Sequence, residues 1–354
     1  MNYLNAPIKI QFELSSMCNA LCLGCVRTDN ISYNDKKFII PDKEYISFDV
    51  FKKILLAPEF SSVTHLEFCG TIDDPLMHPE LLHFLSFAST VGKYNVQIHT
   101  NASLRNVKYW AELAEVLKKH DSHSVKFSID GLEDTNHIYR QNTTWSKIME
   151  NAQAFIQAGG TASWQYLIFP WNQHQVMDAK ALSVKMGFHE FMSRHDRSVA
   201  TTRGLETIQK IKALNIRRST SYLSSVDSIN NDLAESVNNE IQCNNQIKKM
   251  YFIGFDGKLW PCCFLHNGFM NMDEGKRNLL HQRLYDIYGD TSWNDLNKHS
   301  VKEILTHEFY SSDLTDSWQS THHGTEKTDR IHRCTEVCNV KKLKELPIGE
   351  AKIL

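Results

Sequence analysis

The sequence predicts an α/β protein built on a parallel sheet, and three observations carry that prediction. Short apolar runs alternate with stretches of helical apolar spacing through residues 8–192. Each gap between successive strands is long enough for a helix, so right-handed crossovers join parallel neighbours, as in a barrel or a doubly wound sheet. The polar and cysteine-bearing motifs fall just after the strands, where ligands gather in such sheets.

In chain order, Ile8 to Leu14 reads as the first strand, and Phe48 to Leu56 has helical spacing with Pro58 as its stop. Val63 to Cys69 is the second strand, followed by a helix from Glu80 to Val91; Val96 to Thr100 is the third, followed by a helix from Val107 to His120. Val125 to Asp130 is the fourth strand, and the helix after it, Ser146 to Ala158, ends at the pair Gly159-Gly160. Trp164 to Phe169, a helix from Gln173 to Met186, and Phe188 to Met192 complete six strands. Residues 201–240 change character, with scattered Arg and Lys followed by a Ser-, Asn- and Asp-rich run lacking a glycine linker. They read as a helical bridge between a domain over 1–200 and a smaller α+β domain over 241–354. In the latter, Met250 to Phe255 and Lys258 to Trp260 read as a hairpin about Asp256-Gly257 with a type I′ turn, returning Cys262 toward Cys243. Asn278 to Ile287 and Ser300 to Leu305 look helical, and His322-His323 lies in a polar, solvated stretch.

Composition narrows the function classes. A chain of 354 residues, 42% hydrophobic and 23% charged, has an ordinary globular make-up and ample core. A formal net charge of -2 and the lack of a basic patch give no reason to expect a nucleic-acid partner. The N-terminus lacks the charged and apolar regions of a signal peptide, and no apolar run reaches the length of a membrane span, so a cytoplasmic protein is expected. In that compartment nine cysteines are metal ligands more readily than disulfides.

The densest motif is Cys18, Cys22 and Cys25, on one loop just past the first strand. Three thiolates leave one position open on a zinc ion or a [4Fe-4S] cube. A zinc loop completed by a remote Cys or His is the plainer alternative, and the bacterial ferredoxin run has a different first spacing. A second set, Cys243, Cys262, Cys334 and Cys338, supplies four thiolates from separated segments, enough to close a cluster or a structural zinc site. Cys263 is left over as an alternative ligand, a hydrogen or proton donor, or a small buried apolar group.

The C-x3-C-x2-C spacing after strand one resembles the signature of the radical S-adenosylmethionine (radical SAM) superfamily. The resemblance implies a partial (β/α)6 TIM-type barrel in which Cys18, Cys22 and Cys25 hold a [4Fe-4S] cluster, its fourth iron chelated by SAM. Gly24 stands where the family usually has an aromatic residue. The loop from Cys69 to Glu80 resembles the family's GGEP loop, with Asp74 in the place of the acidic residue that binds the SAM amino group; without the resemblance it is a Pro-containing turn opening a helix. The strand ends carrying His99 to Ala102 and Ser128 to Gly131 resemble those that line SAM, making Ser128 and Asp130 candidates, although Asp130-Gly131 is also a plain turn signal. Arg140 is a candidate partner for a carboxylate of SAM or substrate, against the alternative of a solvated arginine. The second cysteine set resembles the first half of a SPASM/twitch domain, and five cysteines after residue 240 imply one auxiliary [4Fe-4S] cluster on Cys243, Cys262, Cys334 and Cys338.

The function so implied is reductive cleavage of SAM to a 5′-deoxyadenosyl radical that abstracts a substrate hydrogen, for a net oxidation or a bond-forming modification. The substrate is a peptide or a small molecule, and an external one-electron donor such as flavodoxin or ferredoxin is needed. With strand one expected at the start of the chain, no N-terminal peptide-recognition domain is expected. Two other classes compete: an Fe-S electron carrier, and a zinc-stapled binding module.

Overall fold

The computed structural model describes residues 6–23, 25, 27–28, 41–195, 240–270, 279–320 and 326–338. All but the last residue of the expected bridge over 201–240, together with Gly24 and the pair His322-His323, lie outside the described residues.

Eight strands form one sheet in the order β6-β5-β4-β3-β2-β1-β7-β8. The first six are β1 (Lys9–Phe12), β2 (His65–Phe68), β3 (Asn95–Thr100), β4 (Ser122–Ser128), β5 (Ala162–Ile168) and β6 (Glu190–His195), each parallel to its neighbour. The crossovers include α1 (Phe48–Leu56), α2 (Leu81–Val91), α3 (Val107–Leu117), α4 (Trp145–Gln157) and α5 (Val176–Met186). Helix starts follow the capping chemistry: the Ser47 side chain accepts from the Val50 N–H at 3.2 Å and Asn106 from the Tyr109 N–H at 3.0 Å, each occupying an otherwise orphan donor. Helix α5 ends at Gly187, whose φ of 86° is left-handed, where a side chain would be strained.

The outer side of the sheet is held by aromatic packing. Phe12, Phe51, Phe68 and Phe84 are fully buried and in mutual contact between β1, β2, α1 and α2. Trp110, Phe127 and Phe155 do the same under α3 and α4. At roughly 1.5–3 kcal/mol per buried large apolar side chain, these contacts outweigh any single helix propensity.

The C-terminal hairpin joins this sheet. Strand β7 (Met250–Ile253) pairs with β1 in parallel, Lys9 opposite Met250 and Phe12 opposite Ile253, and β8 (Leu259–Trp260) returns antiparallel. The hairpin turn differs from the expected type I′. The Gly257 N–H bonds to the Gly254 carbonyl at 3.0 Å and the Gly254 N–H to the Lys258 carbonyl at 3.0 Å, giving a three-residue loop. Gly257 has φ +73° whereas Asp256 stays out of the left-handed region, so the turn is a type I turn followed by a glycine bulge; type I′ would require both residues left-handed. Beyond it lie α6 (Cys263–Met270), α7 (Leu279–Tyr288), α8 (Val301–Thr306) and α9 (His332–Cys338). Helix α8 opens with a complete capping box between Ser300 and Glu303.

Candidate active site and auxiliary cysteine cavity

The loop from Ser15 to Cys25 leaves the carboxyl end of β1 and is stitched to the loops after β2, β3 and β4. Asp73 accepts from the Leu14 and Ser15 N–H groups at 2.9 and 3.2 Å, and the Asp74 N–H donates to the Met17 carbonyl at 2.9 Å. Asn101 donates through one amide nitrogen to Asn19 Oδ1 at 2.8 Å and toward Cys18 Sγ at 3.7 Å. Asn142 donates to the Asn19 carbonyl at 2.7 Å, and the Leu21 N–H bonds to the Gln141 carbonyl at 2.9 Å. Leu23 is buried against Phe169 and the stacked ring of Trp171, which anchors the middle of the loop at the end of β5.

Each candidate residue now has a place. Asp74 is buried and its carboxylate serves the chain's own donors: the Leu76 N–H at 3.0 Å, the Thr100 hydroxyl at 2.9 Å and the Asn101 N–H at 2.8 Å. It caps the turn Pro75–Met77 and ties the loop after β2 to the end of β3. Burial raises its pKa, against those hydrogen bonds. Ser128 ends β4, half-buried, in register with Gln165. Asp130 is fully buried; one carboxylate oxygen accepts from the Leu167 N–H at 2.6 Å and the other from Arg140 Nε at 2.6 Å.

Arg140 is not a solvated arginine. Its side chain is 17% exposed, and beyond Asp130 its Nη1 reaches Cys22 Sγ at 3.5 Å. The reason is topological: the short helical turn Asn136–Tyr139 folds back over the strand ends and presents Arg140 at its close, next to the cysteine loop. Burial pushes the Cys22 thiol up to about 11, and the Arg140 guanidinium works in the opposite direction, favouring the thiolate. Cys18 is pushed well above the thiol range by burial, then by Asp74 and the neighbouring thiols. A metal or cluster would have to displace those protons on binding. Three thiols on one loop, with an amide N–H aimed at Cys18 and a guanidinium at Cys22, form a donor set that fits a cluster with one position left open.

The second set of thiols converges as well. Cys243, Cys262, Cys334 and Cys338 are buried and line one cavity together with Leu265 and Leu314 among its apolar walls. Asn245 donates to the Pro261 carbonyl at 2.9 Å, which fixes the hairpin against the segment after Cys243. Cys338 sits in hydrogen-bonding contact with Cys243, and burial together with their neighbours pushes Cys262 and Cys334 above the thiol range. Four buried sulfurs in an apolar cavity are the chemistry of a closed metal or cluster site. Cys263 points elsewhere: it opens α6, is half-buried, and interacts with Glu13 and Cys69 as burial pushes it up to about 12.

Two features were not legible as site residues. Fully buried Glu13 and His266 and half-buried Asp256 form a row, with His266 Nδ1 3.4 Å from Glu13 Oε2 and Nε2 3.3 Å from Asp256 Oδ1. Glu13 Oε1 accepts from the Thr71 and Ile72 N–H groups at 2.5 and 2.8 Å, so the row braces the loop carrying Asp73 and Asp74. The inner side of the sheet is polar: Lys9, Gln11, Glu67, Gln97, His99 and Lys126 recur at alternate positions. Parallel strands covered on both faces are apolar throughout, so this period-two polarity is the sequence signal of a lined cavity.

A mostly parallel, open α/β sheet with a three-cysteine loop across its carboxyl ends has partial-barrel architecture, and the carboxyl end is where ligands gather in such sheets in general. No protein-family model matches the sequence, and no curated protein matches it. Solved structures do match. The structure of anSMEcpe with bound AdoMet superposes with a TM-score of 0.52 over 89% of this chain and 84% of that one, at 14% identity. Its complex with AdoMet and the Kp18Cys peptide gives 0.51 over the same shares, at 13% identity. Streptococcus suis SuiB bound to its precursor peptide SuiA gives 0.50 at 15% identity, covering 80% of this chain and 65% of SuiB, so the chain spans just under two thirds of that protein's length. The anSMEcpe structures hold AdoMet, one of them with a peptide, SuiB is bound to its precursor peptide, and the chain carries the partial-barrel fold of these neighbours. Among the described residues no helix is long and apolar enough to cross a membrane.

Proposed function

We propose that this protein is a radical SAM enzyme that modifies a peptide or a small molecule. The observation that carries the reading is the convergence of Cys18, Cys22 and Cys25 at the sheet's carboxyl end with Asn101 and Arg140 aimed at two of the sulfurs. When bound, the [4Fe-4S] cluster and SAM supply reductive cleavage of the sulfonium to a 5′-deoxyadenosyl radical. The protein's own part is to hold and orient. Cys18, Cys22 and Cys25 would be the cluster ligands, with Asn101 donating a hydrogen bond toward the Cys18 sulfur and the Arg140 guanidinium offsetting charge at the Cys22 sulfur. Asp74 fixes the loop between β2 and the end of β3, and Asp130 fixes Arg140. Ser128 and the polar inner wall would contact SAM or substrate.

Cys243, Cys262, Cys334 and Cys338 would hold an auxiliary [4Fe-4S] cluster, which would supply a one-electron acceptor or a substrate-binding position there. The SuiB and anSMEcpe complexes named above contain peptides, which favours a peptide substrate. An external flavodoxin or ferredoxin would deliver the starting electron, in a cytoplasmic setting.

The test is anaerobic: reconstitute the chain, count iron and sulfide, add dithionite and SAM, and measure 5′-deoxyadenosine. About eight irons per chain are expected for two cubes, with product lost in the combined Cys18→Ala, Cys22→Ala, Cys25→Ala variant. Clusters without SAM cleavage would leave an electron carrier, and zinc in the cysteine sites a binding module.

A further inference from the structure

We infer that Glu67, Cys69 and His99 form a binding site for a zinc-class divalent cation inside the barrel mouth, separate from both cysteine sets. One ligand atom from each of the three lies within 4.8 Å of the other two. The fold puts them there for a simple reason. Strands β2 and β3 are parallel and in register, Glu67 opposite Gln97 and Phe68 opposite Ile98, so the pairs 67/97 and 69/99 lie side by side. Glu67 and Cys69 are two residues apart and emerge on the same face, and His99 joins them from the neighbouring strand.

The geometry is that of ligands on one ion. His99 Nε2 lies 3.4 Å from Glu67 Oε1. Two N/O ligands at about 2.05 Å from a tetrahedral zinc are separated by roughly 3.3–3.4 Å. One thiolate, one imidazole and one carboxylate suit a borderline-soft first-row ion such as Zn2+, and three protein ligands leave a fourth position open. All three side chains are half-buried, so that position is reachable from the barrel interior, where a water or a substrate thiolate, carboxylate or carbonyl would complete the shell.

The surroundings supply the outer contacts such sites use. The other oxygen of Glu67 is paired with Lys9, and the Gln11 amide holds the Cys69 carbonyl; Gln97 Oε1, 3.1 Å from His99 Nε2, accepts from that nitrogen only while the ion is absent and must give way when it binds. The Cys69 N–H bonds to the Phe12 carbonyl at 3.1 Å, so the thiol stands on a fixed backbone. A cation with Cys69 as thiolate and Glu67 as carboxylate is charge-neutral in its inner shell; burial and then Glu67 push the Cys69 thiol well up, with Lys126 working weakly against them, so the ion must displace that proton on binding. Without the ion, the same wall presents a Lys9–Glu67 ion pair.

The probe is zinc added to the cluster-loaded chain, followed by removal of weakly held metal, with zinc counted by mass spectrometry and its shell read by Zn K-edge X-ray absorption. Wild type should retain about one zinc per chain with one sulfur and three N/O neighbours. The variants Glu67→Gln and His99→Ala should retain at least tenfold less while keeping the same iron content. Absence of zinc from wild type, equal zinc in wild type and both variants, or an all-sulfur shell would overturn the site. Because the absorption measurement is made on wild type, a folding failure in either variant does not decide the matter.

Discussion

Replacing His266 by Gln should remove a pH-dependent part of this protein's stability. His266 is fully buried between Glu13 and Asp256. Burial alone pulls its pKa down, but the two carboxylates outweigh that effect and hold it up at about 9, against an ordinary 6.5. That gap is worth roughly 3 kcal/mol at ~1.4 kcal/mol per tenfold change in proton affinity. Because the folded-state value is the higher one, protonation favours the folded chain. The contribution is complete below pH 6.5 and is lost as pH rises through about 9. Urea unfolding of the metal-free chain, followed by circular dichroism between pH 6 and 10, should therefore show a fall in wild-type stability across this window that the Gln variant lacks. The same variant should speed amide hydrogen exchange at Thr71 and Ile72, whose N–H groups rest on Glu13. Equal pH slopes in the two proteins, with unchanged exchange at those amides, would refute the claim that a buried imidazolium braces the loop.

Three further outcomes are expected. Arg140→Gln leaves Asp130 and Cys22 without their cation; breaking a buried pair costs about 3–5 kcal/mol, and iron retention and 5′-deoxyadenosine yield should drop while Asp130→Asn added to it costs less than the two single changes together. Asp74→Asn turns an acceptor-only group into one that presents N–H to the Thr100 and Asn101 donors, at about 1–3 kcal/mol, measured as a lower melting temperature and weaker SAM binding. Cys334→Ala with Cys338→Ala should lower iron from about eight to about four per chain, as loss of one cube requires, while leaving SAM cleavage in place; a loss of all iron would show that the two sites are not independent.

The sequence by itself determined the order and type of the elements in the first half. Apolar periodicity marks strand and helix because each must bury one side, and α1 falls at the expected Phe48–Leu56. Strand boundaries moved by up to three residues, furthest at the start of β4 and the end of β6, because hydrogen-bonded register extends pairing into Ser122–Ser124 and on to Ser193, Arg194 and His195. Spacing and count singled out the two cysteine groups that the fold brings together, Cys18, Cys22 and Cys25 on one loop and Cys243, Cys262, Cys334 and Cys338 around one cavity.

What only the tertiary structure decided is which distant groups meet. A strand pattern does not say what pairs with its edge, so the placement of β7 beside β1, joining the two expected domains in one sheet, came from long-range hydrogen bonding. Nor does a lone Arg announce its partner: the solvated reading of Arg140 gave way because the turn Asn136–Tyr139 folds it onto Asp130 and Cys22. Glu13 and His266 are 253 positions apart in the chain, and neither stands in a motif. Their pairing follows from burial, which makes an unpaired charge costly and so forces opposite charges together once the hairpin closes on β1.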